Sequence, residues 1–308
     1  MHIALIAPGR NLDSWERAFH LLDSDISLEI WPDISNPEPI ELAVLWNHPE
    51  GILSDFPNLR LISSMGAGVD HILKDPYLPR HIPIMKVMDK QLKDAMSNYL
   101  IMAVLNYQRN SHEHLSNQKR EIWEPGLAYK FSLNIGFLGM GILARDAARK
   151  LFGLGFAIRG YTLSSKDVTG IELYHGSGQL SEFLADLDIL VNLLPLTDAT
   201  RNILDRRLFN MFTKPALLIN AARGEHLVEA DLLDALNNGQ ISKAYLDVFN
   251  EEPLPHNHPF WRHSDIFVTP HIAAITNPKI AVKLILENYL RTQNHQELRH
   301  LVDIEKQY

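Results

Sequence analysis

Three short stretches of the chain join an apolar run to residues that can bind charge or move a proton. Asn220-Ala221-Ala222-Arg223-Gly224 ends one run, Asp247-Val248-Phe249-Asn250-Glu251-Glu252-Pro253 a second, and Thr269-Pro270-His271-Ile272-Ala273 a third. An arginine grips a carboxylate or a developing oxyanion through its planar fork, and an imidazole transfers protons near neutral pH. A carboxylate beside the imidazole fixes which ring nitrogen carries the proton. At the carboxyl ends of successive parallel strands, such groups can converge on one crevice. Taken singly, each has a plainer reading: Arg223 as a surface ion pair, Glu252 as loop solvation, His271 as a packed imidazole.

The stretch Leu133-Asn134-Ile135-Gly136-Phe137-Leu138-Gly139-Met140-Gly141-Ile142-Leu143-Ala144 changes that weighting, because it reads as strand, glycine turn and helix. Gly139 permits the tight turn, and Gly141 lacks the side chain that would keep a pyrophosphate off the backbone. The helix N-terminus then offers free N–H groups and a partial positive charge. Ala144 is small enough for close packing of helix on strand. Ala147, Ala148 and Leu151 continue the apolar face, and Gly153 and Gly155 end the helix before a second strand at Phe156 to Tyr161. A second glycine pair lies in Ser64-Met65-Gly66-Ala67-Gly68-Val69-Asp70, again after an apolar run. Its plainer reading is a tight turn with Asp70 as a helix cap.

These residues need a scaffold. Ile3 to Ala7, Ile26 to Ile30, Ala43 to Trp46 and Leu59 to Ser63 are short apolar or alternating runs separated by helical or turn-rich segments such as Asp13 to Leu22. That alternation predicts a small parallel α/β unit. Pro76, Pro79 and Pro83 punctuate a loop, and Lys93 to Arg120 carries Leu100, Val104 and Tyr107 at helical spacing, as one or two helices linking two halves. Beyond the glycine turn, the spacing predicts helices at Leu180 to Ala185 and Glu229 to Asn238, the latter stopped by Gly239. Strands are expected at Asp188 to Leu194, Ala216 to Asn220, Ala244 to Val248 and Ile266 to Thr269. A last helix, Pro278 to Asn294, is placed to return to the first domain.

A chain of 308 residues suits two domains, and 46% hydrophobic with 21% charged content is that of a globular protein. No apolar run approaches the ~18 residues that span a membrane, and Met1 to Pro8 reads as a first strand rather than a signal peptide. The absence of cysteine excludes disulfides, thiolate chemistry and cysteine-ligated zinc, and fits a reducing cytoplasm. A net charge of −8 argues against a nucleic-acid surface, while a local arginine still suffices for a small anion. His256 and His258 sit in a proline-rich loop with no spacing to converge them, so no metal is expected.

Read in order, Gly66-Ala67-Gly68-Val69-Asp70, Gly139-Met140-Gly141, Leu194-Pro195, Ala222-Arg223-Gly224, Asp247 to Pro255 and Thr269-Pro270-His271-Ile272-Ala273 resemble the D-isomer-specific 2-hydroxyacid dehydrogenases. The resemblance covers nearly the whole chain. Trp46 and His258-Pro259-Phe260-Trp261-Arg262-His263 are most similar to the family's glyoxylate/hydroxypyruvate reductases. The implied fold is α/β, with two Rossmann-like domains built on parallel sheets. Residues 1–98 and 275–308 would form a flavodoxin-like substrate domain, and 99–274 an inserted dinucleotide-binding domain. A cytoplasmic homodimer, with neither nucleic acid nor membrane as partner, is the family expectation.

By the same resemblance, a dinucleotide would lie against Gly139, Met140, Gly141, Ile142, Leu194, Pro195, Ala221, Ala222, Asp247 and His271. A small 2-oxo acid would be held by Arg223 and by the N–H groups of Ala67 and Gly68, with Trp46 either limiting the pocket or packing in the core. His271 would supply the proton, with Glu252 orienting the ring. Two positions depart from the family pattern. Asn98 stands before Tyr99 where a glutamate is common, which puts a supporting contact in doubt. The acidic residue that grips the ribose in NAD-specific relatives is missing near Thr162, and Ser164, Ser165 and Lys166 follow instead. A 2′-phosphate is then tolerated, so NADP is expected over NAD, although Asp167 could still serve a ribose. Alternatives are a phosphoglycerate or D-lactate dehydrogenase, or a binding protein of the NAD(H)-sensing corepressor kind.

Overall fold

The apolar runs His2–Ile6, Leu42–Leu45 and Leu61–Ser64 are buried almost end to end, as expected of parallel strands covered on both faces. The computed structural model describes residues 1–162, 168 and 170–308, and the backbone alone of Ser177. Among these, the chain divides into two units: Met1–Leu92 with Ile275–Tyr308, and Lys93–Ala274.

The first unit has a five-stranded parallel sheet. Its strands are β1 (His2–Ile6), β2 (Ser27–Ile30), β3 (Leu42–Leu45), β4 (Leu61–Ser64) and β5 (Ile84–Met85), in the order β2-β1-β3-β4-β5. This is the flavodoxin-like order, whose switch point lies between β1 and β3. Register sets Ile6 opposite Leu45, and Leu45 opposite Ser64. The loops that begin at Ala7, Trp46 and Met65 therefore leave from one rim. Helix Asp13–Leu22 turns Trp15, Ala18 and Phe19 inward, and helix Pro278–Gln293 adds Ala281, Val282, Ile285 and Tyr289 to the same core. Ile285 is fully buried there, so its truncation to alanine costs about 2–5 kcal/mol.

The second unit holds seven parallel strands: β6 (Asn134–Leu138), β7 (Ala157–Thr162), β8 (Glu172–His175), β9 (Ile189–Asn192), β10 (Ala216–Asn220), β11 (Ile241–Leu246) and β12 (Ile266–Val268). Their order is β12-β11-β10-β9-β6-β7-β8. Counted from β6, that is the Rossmann order with one strand added beyond the sixth. One row of paired residues runs through Tyr161, Leu138, Asn192, Asn220, Leu246 and Val268. Every turn that carries a candidate site residue in this unit thus starts from one level edge.

The helical stretch after Leu92 is two helices, Lys90–Gln108 and Ser111–Lys119, broken where Asn110 takes a left-handed backbone with φ of 51°. Asp70 is the first residue of the short helix Asp70–Leu73 rather than its cap, a position that falls to Val69. No helix among the described residues is long and apolar enough to cross a membrane.

Candidate active site

At the switch point of the seven-stranded sheet, β6 runs into Gly139, whose φ is +87°. A β-carbon there would lie 3.1 Å from the backbone oxygen of Leu193, so the turn needs glycine for both conformation and space. Gly141 is different. Nothing lies within 4 Å of where its β-carbon would stand, and it begins the helix Ile142–Gly153 with no side chain capping the N-terminus. An uncapped helix end behind an open glycine is a cradle of N–H donors suited to a pyrophosphate, so the residues present fit a dinucleotide. Met140 is buried and Ile142 half-exposed.

Strands β9 and β10 finish in a pair of buried asparagines. Asn192 Nδ2 donates to Asn220 Oδ1 at 3.0 Å, and the same oxygen accepts the Ala222 N–H at 3.3 Å. Asn220 Nδ2 donates to the Arg223 carbonyl at 3.0 Å, while Asn192 Oδ1 accepts the Leu194 N–H. The two amides thereby shape the turns holding Leu194, Pro195, Ala221 and Ala222, and the backbone beneath Arg223. Gly224 follows where only glycine fits, since a β-carbon would fall 1.9 Å from the Phe249 carbonyl carbon. The Arg223 side chain is half-buried, and its Nη1 donates to the Ala222 carbonyl at 2.7 Å.

The carboxylate and the imidazole do meet. His271 Nδ1 lies 2.7 Å from Glu252 Oε2, and Glu252 Oε1 accepts the Phe249 N–H at 3.0 Å. Burial pushes the Glu252 carboxyl up, but the His271 hydrogen bond and charge, the Phe249 amide and the Arg223 charge together hold it below its ordinary value. Arg223, Glu252 and His271 thus belong to one electrostatic neighbourhood. Glu251, beside Glu252, is exposed.

Asp247 is almost fully buried at the end of β11, and desolvation raises its pKa despite hydrogen bonds from Thr269 and the Ile272 and Ala273 amides. Its carboxylate is therefore committed to the loop bearing His271. Asn98 is exposed, whereas Tyr99 is buried with its hydroxyl 2.8 Å from Thr269 Oγ1. The tyrosine thus has a partner whatever residue precedes it. Asn192, Asn220, Tyr99 and Thr269 are site-shaping residues to which sequence reasoning assigns no role; for Asn192, Asn220 and Thr269 the available signal is a polar residue closing an apolar run.

In the first unit, Ala67 and Gly68 are half-exposed at the rim of its own sheet. Ser64 Oγ accepts the Gly66 N–H and donates to the Gly68 carbonyl at 2.7 Å, which holds this glycine loop. Trp46 stands beside it: its ring edge is 3.3 Å from where a Gly66 β-carbon would be, the Arg10 guanidinium lies 4.0 Å over its face, and His71 packs at 4.7 Å. Ser164, Ser165 and Lys166, with Asp167, lie outside the described residues. Strand β7 ends on Thr162, with no carboxylate at that position. His258 Nε2 pairs with Glu229 at 3.1 Å, and no group of three or more metal-ligating side chains occurs among the described residues.

A family model for the NAD-binding domain of D-isomer-specific 2-hydroxyacid dehydrogenases matches residues 101–273. Glyoxylate/hydroxypyruvate reductase A of Serratia proteamaculans is 36% identical over 310 residues, covering 99% of both chains. Among solved structures, a D-isomer-specific 2-hydroxyacid dehydrogenase from Xanthobacter autotrophicus Py2 in complex with NADPH and MES superposes with a TM-score of 0.94 at 31% identity. It covers 100% of this chain and 99% of that one. An NADPH-dependent glyoxylate/hydroxypyruvate reductase from Sinorhizobium meliloti, solved with NADP and sulfate, gives a TM-score of 0.93 at 31% identity with the same coverage. With its family domain matched over more than half its length and its glycine turn, arginine and histidine–glutamate pair on one sheet edge, the chain belongs to the D-isomer-specific 2-hydroxyacid dehydrogenases.

Proposed function

We propose that the protein reduces a small 2-oxo acid, glyoxylate or hydroxypyruvate, to the D-2-hydroxy acid, with NADPH preferred over NADH. The observation that carries this reading is the 2.7 Å pair of His271 and Glu252, on the same sheet edge as Arg223 and the open glycine turn. The names of the Serratia and Sinorhizobium relatives support the substrate class, and the NADPH and NADP bound in the two solved structures support the cofactor.

Gly139 to Ile142 would hold the pyrophosphate, and Leu194, Pro195, Ala221, Ala222 and Asp247 the nicotinamide end. When bound, the reduced cofactor supplies a hydride. Arg223 binds the substrate carboxylate and its carbonyl oxygen, and stabilises negative charge developing on that oxygen. On the family's pattern, the Ala67 and Gly68 N–H groups would be carboxylate donors and Trp46 would limit the substrate's side chain. His271 carries a proton on Nδ1, held by Glu252, and gives one from Nε2 to the developing alkoxide. In the oxidative direction the same nitrogen accepts it. Ser164, Ser165 and Lys166 would receive the 2′-phosphate. We place the enzyme in the cytoplasm as a homodimer, on the family's pattern.

The test is cofactor depletion by the purified protein with glyoxylate and hydroxypyruvate, using NADPH and NADH in parallel. Faster turnover with NADPH and either acid is expected. Dinucleotide binding without consumption would mark a binding protein instead.

A further inference from the structure

The segment that carries His271 is tied down by one buried carboxylate. Asp247 Oδ1 accepts the Thr269 hydroxyl at 2.7 Å and the Ile272 N–H at 2.9 Å, while Oδ2 accepts the Ala273 N–H at 2.8 Å. The His271 N–H itself donates to the Asp247 backbone carbonyl at 2.8 Å. These four bonds surround a residue with φ of 54°, in the left-handed region that is uncommon for residues other than glycine.

Hydrogen counting then extends the chain outward. The Thr269 hydroxyl has a single proton, and that proton is given to Asp247. Tyr99, 2.8 Å away, must therefore donate to Thr269 Oγ1. Burial raises the pKa of the Tyr99 phenol far above its ordinary value, so it remains a donor throughout the working range. Tyr99 sits on the helix Lys90–Gln108, inside the core of the second unit among Leu100, Ala103 and Ala273. The direction of every bond runs from a rigid helix to the carboxylate that shapes the histidine segment.

We propose that the chain Tyr99–Thr269–Asp247 is a positioning device for His271, which fixes the backbone on which the imidazole meets Glu252 in a single orientation. The inference rests on the reading of His271 as the proton donor to substrate. It assigns Thr269 a role that its hydroxyl alone fills: valine has the same shape and β-branching but cannot accept from Tyr99 or donate to Asp247. In that variant the Tyr99 hydroxyl is stranded in the core and Asp247 loses one of its three donors.

The experiment compares Thr269→Val, Thr269→Ser, Tyr99→Phe and His271→Ala with the parent, using NADPH and whichever oxo acid is turned over. Thr269→Val should lower kcat about 10- to 100-fold, the scale of a small misplacement of a catalytic group, with the KM for the oxo acid and the Kd for NADPH little changed. Thr269→Ser should recover most of kcat. Tyr99→Phe should fall in the same direction by less, because Thr269 still donates to Asp247, and the Tyr99→Phe/Thr269→Val double variant should be no slower than Thr269→Val alone. In parallel, imidazole NMR of the protein without cofactor should show one set of His271 signals in the parent and broadened or doubled signals in Thr269→Val.

A Thr269→Val protein with a lower Tm but unchanged kcat and unchanged His271 signals overturns the proposal and leaves the reading of His271 standing. So does a Thr269→Ser protein as slow as Thr269→Val. If His271→Ala keeps the parent kcat, the reading of His271 fails and takes the proposal with it. Should Thr269→Val not fold, Tyr99→Phe decides, and a parent-like kcat and parent-like spectrum there would end the argument.

Discussion

Glu252 accepts one hydrogen bond on each carboxylate oxygen, from His271 Nδ1 at 2.7 Å and from the Phe249 amide at 3.0 Å. The second bond matters because it aims the first. A glutamate on an exposed loop, free to rotate, would lose side-chain entropy on pairing with the ring; here part of that cost is already met by the backbone. The pair thereby sets both the tautomer of His271 and the direction in which Nε2 points.

The pH profile of reduction follows from that geometry. On the proposed reading, reduction takes a proton from His271 and oxidation returns one, so the two directions should respond oppositely to pH. Glu252 is held below its ordinary 4.5, so it stays ionised and continues to accept the hydrogen bond of the ring through the mildly acidic range. Glu252→Gln keeps the shape and removes the charge. Its turnover in reduction should be slower at neutrality with an altered pH profile, and His271→Ala should abolish most of the activity. Glu251→Gln, on the same loop, is the control. A pH profile that changes with Glu251→Gln and not with Glu252→Gln would break the assignment.

Arg223→Lys should leave dinucleotide binding intact and reduce kcat/KM by about 10²–10³-fold, the usual loss for one oxyanion donor. Lysine retains the charge, but a point ammonium cannot hold a carboxylate and a carbonyl oxygen through one planar fork. Steady-state kinetics beside a direct NADPH titration checks this, and near-parent turnover would remove Arg223 from the site.

On the proposed reading, preference for NADPH would rest on the residues Ser164, Ser165 and Lys166. Lys166→Ala should raise the KM for NADPH on the order of tenfold or more and leave NADH nearly unchanged, since one hydrogen bond to a charged group contributes about 1.5–3 kcal/mol. Equal effects on both cofactors would show that Lys166 does not touch the phosphate.

How far these residues could be read from the chain depends on how local their signals are. Strand β10, Ala216–Asn220, follows Pro215 and is apolar up to its last residue, so its bounds match the reading to the residue. The expected strand Asp188 to Leu194 is only Ile189–Asn192, because Leu193 and Leu194 leave the ladder to form the turn against Gly139. Helix Lys90–Gln108 starts before the expected Lys93, as Asp89 Oδ1 accepts the Leu92 N–H and nucleates the first turn. Strands β5 and β8 carry no readable pattern: one is two residues long, and the other, Glu172–His175, is a half-exposed sheet edge. For the site, residue types at strand ends were legible, and so was their convergence once a Rossmann order was assumed. Bonds such as Asn192 to Asn220, or Tyr99 to Thr269, join positions far apart in the chain, and only the folded register brings them together.

The first unit offers a separate test, in a buried pair that no functional reading uses. His48 Nε2 lies 3.1 Å from Asp75 Oδ2, and both side chains are almost wholly buried. Asp75 also accepts the Gly51 and Tyr77 amides, so it is well satisfied as an anion, and these bonds hold it below its ordinary 3.8 although burial opposes them. His48 has no such support, for its Nδ1 is buried without a hydrogen-bond partner among the described residues. Burial therefore lowers its pKa from 6.5, and outweighs the hydrogen bond and charge of Asp75. Between 6.5 and the lowered folded value, the unfolded chain binds a proton that the folded chain does not. The stability that neutral His48 contributes is thus complete above 6.5 and is lost as pH falls toward the folded value; Asp75 adds a loss of the same sign below 3.8. The parent Tm should drop from about pH 7 to about pH 5 by more than that of His48→Gln, whose side chain can still donate to Asp75 but does not titrate. Imidazole NMR of the parent gives the direct check. A His48 midpoint at or above 6.5 would show that the Asp75 charge, rather than desolvation, governs the pair.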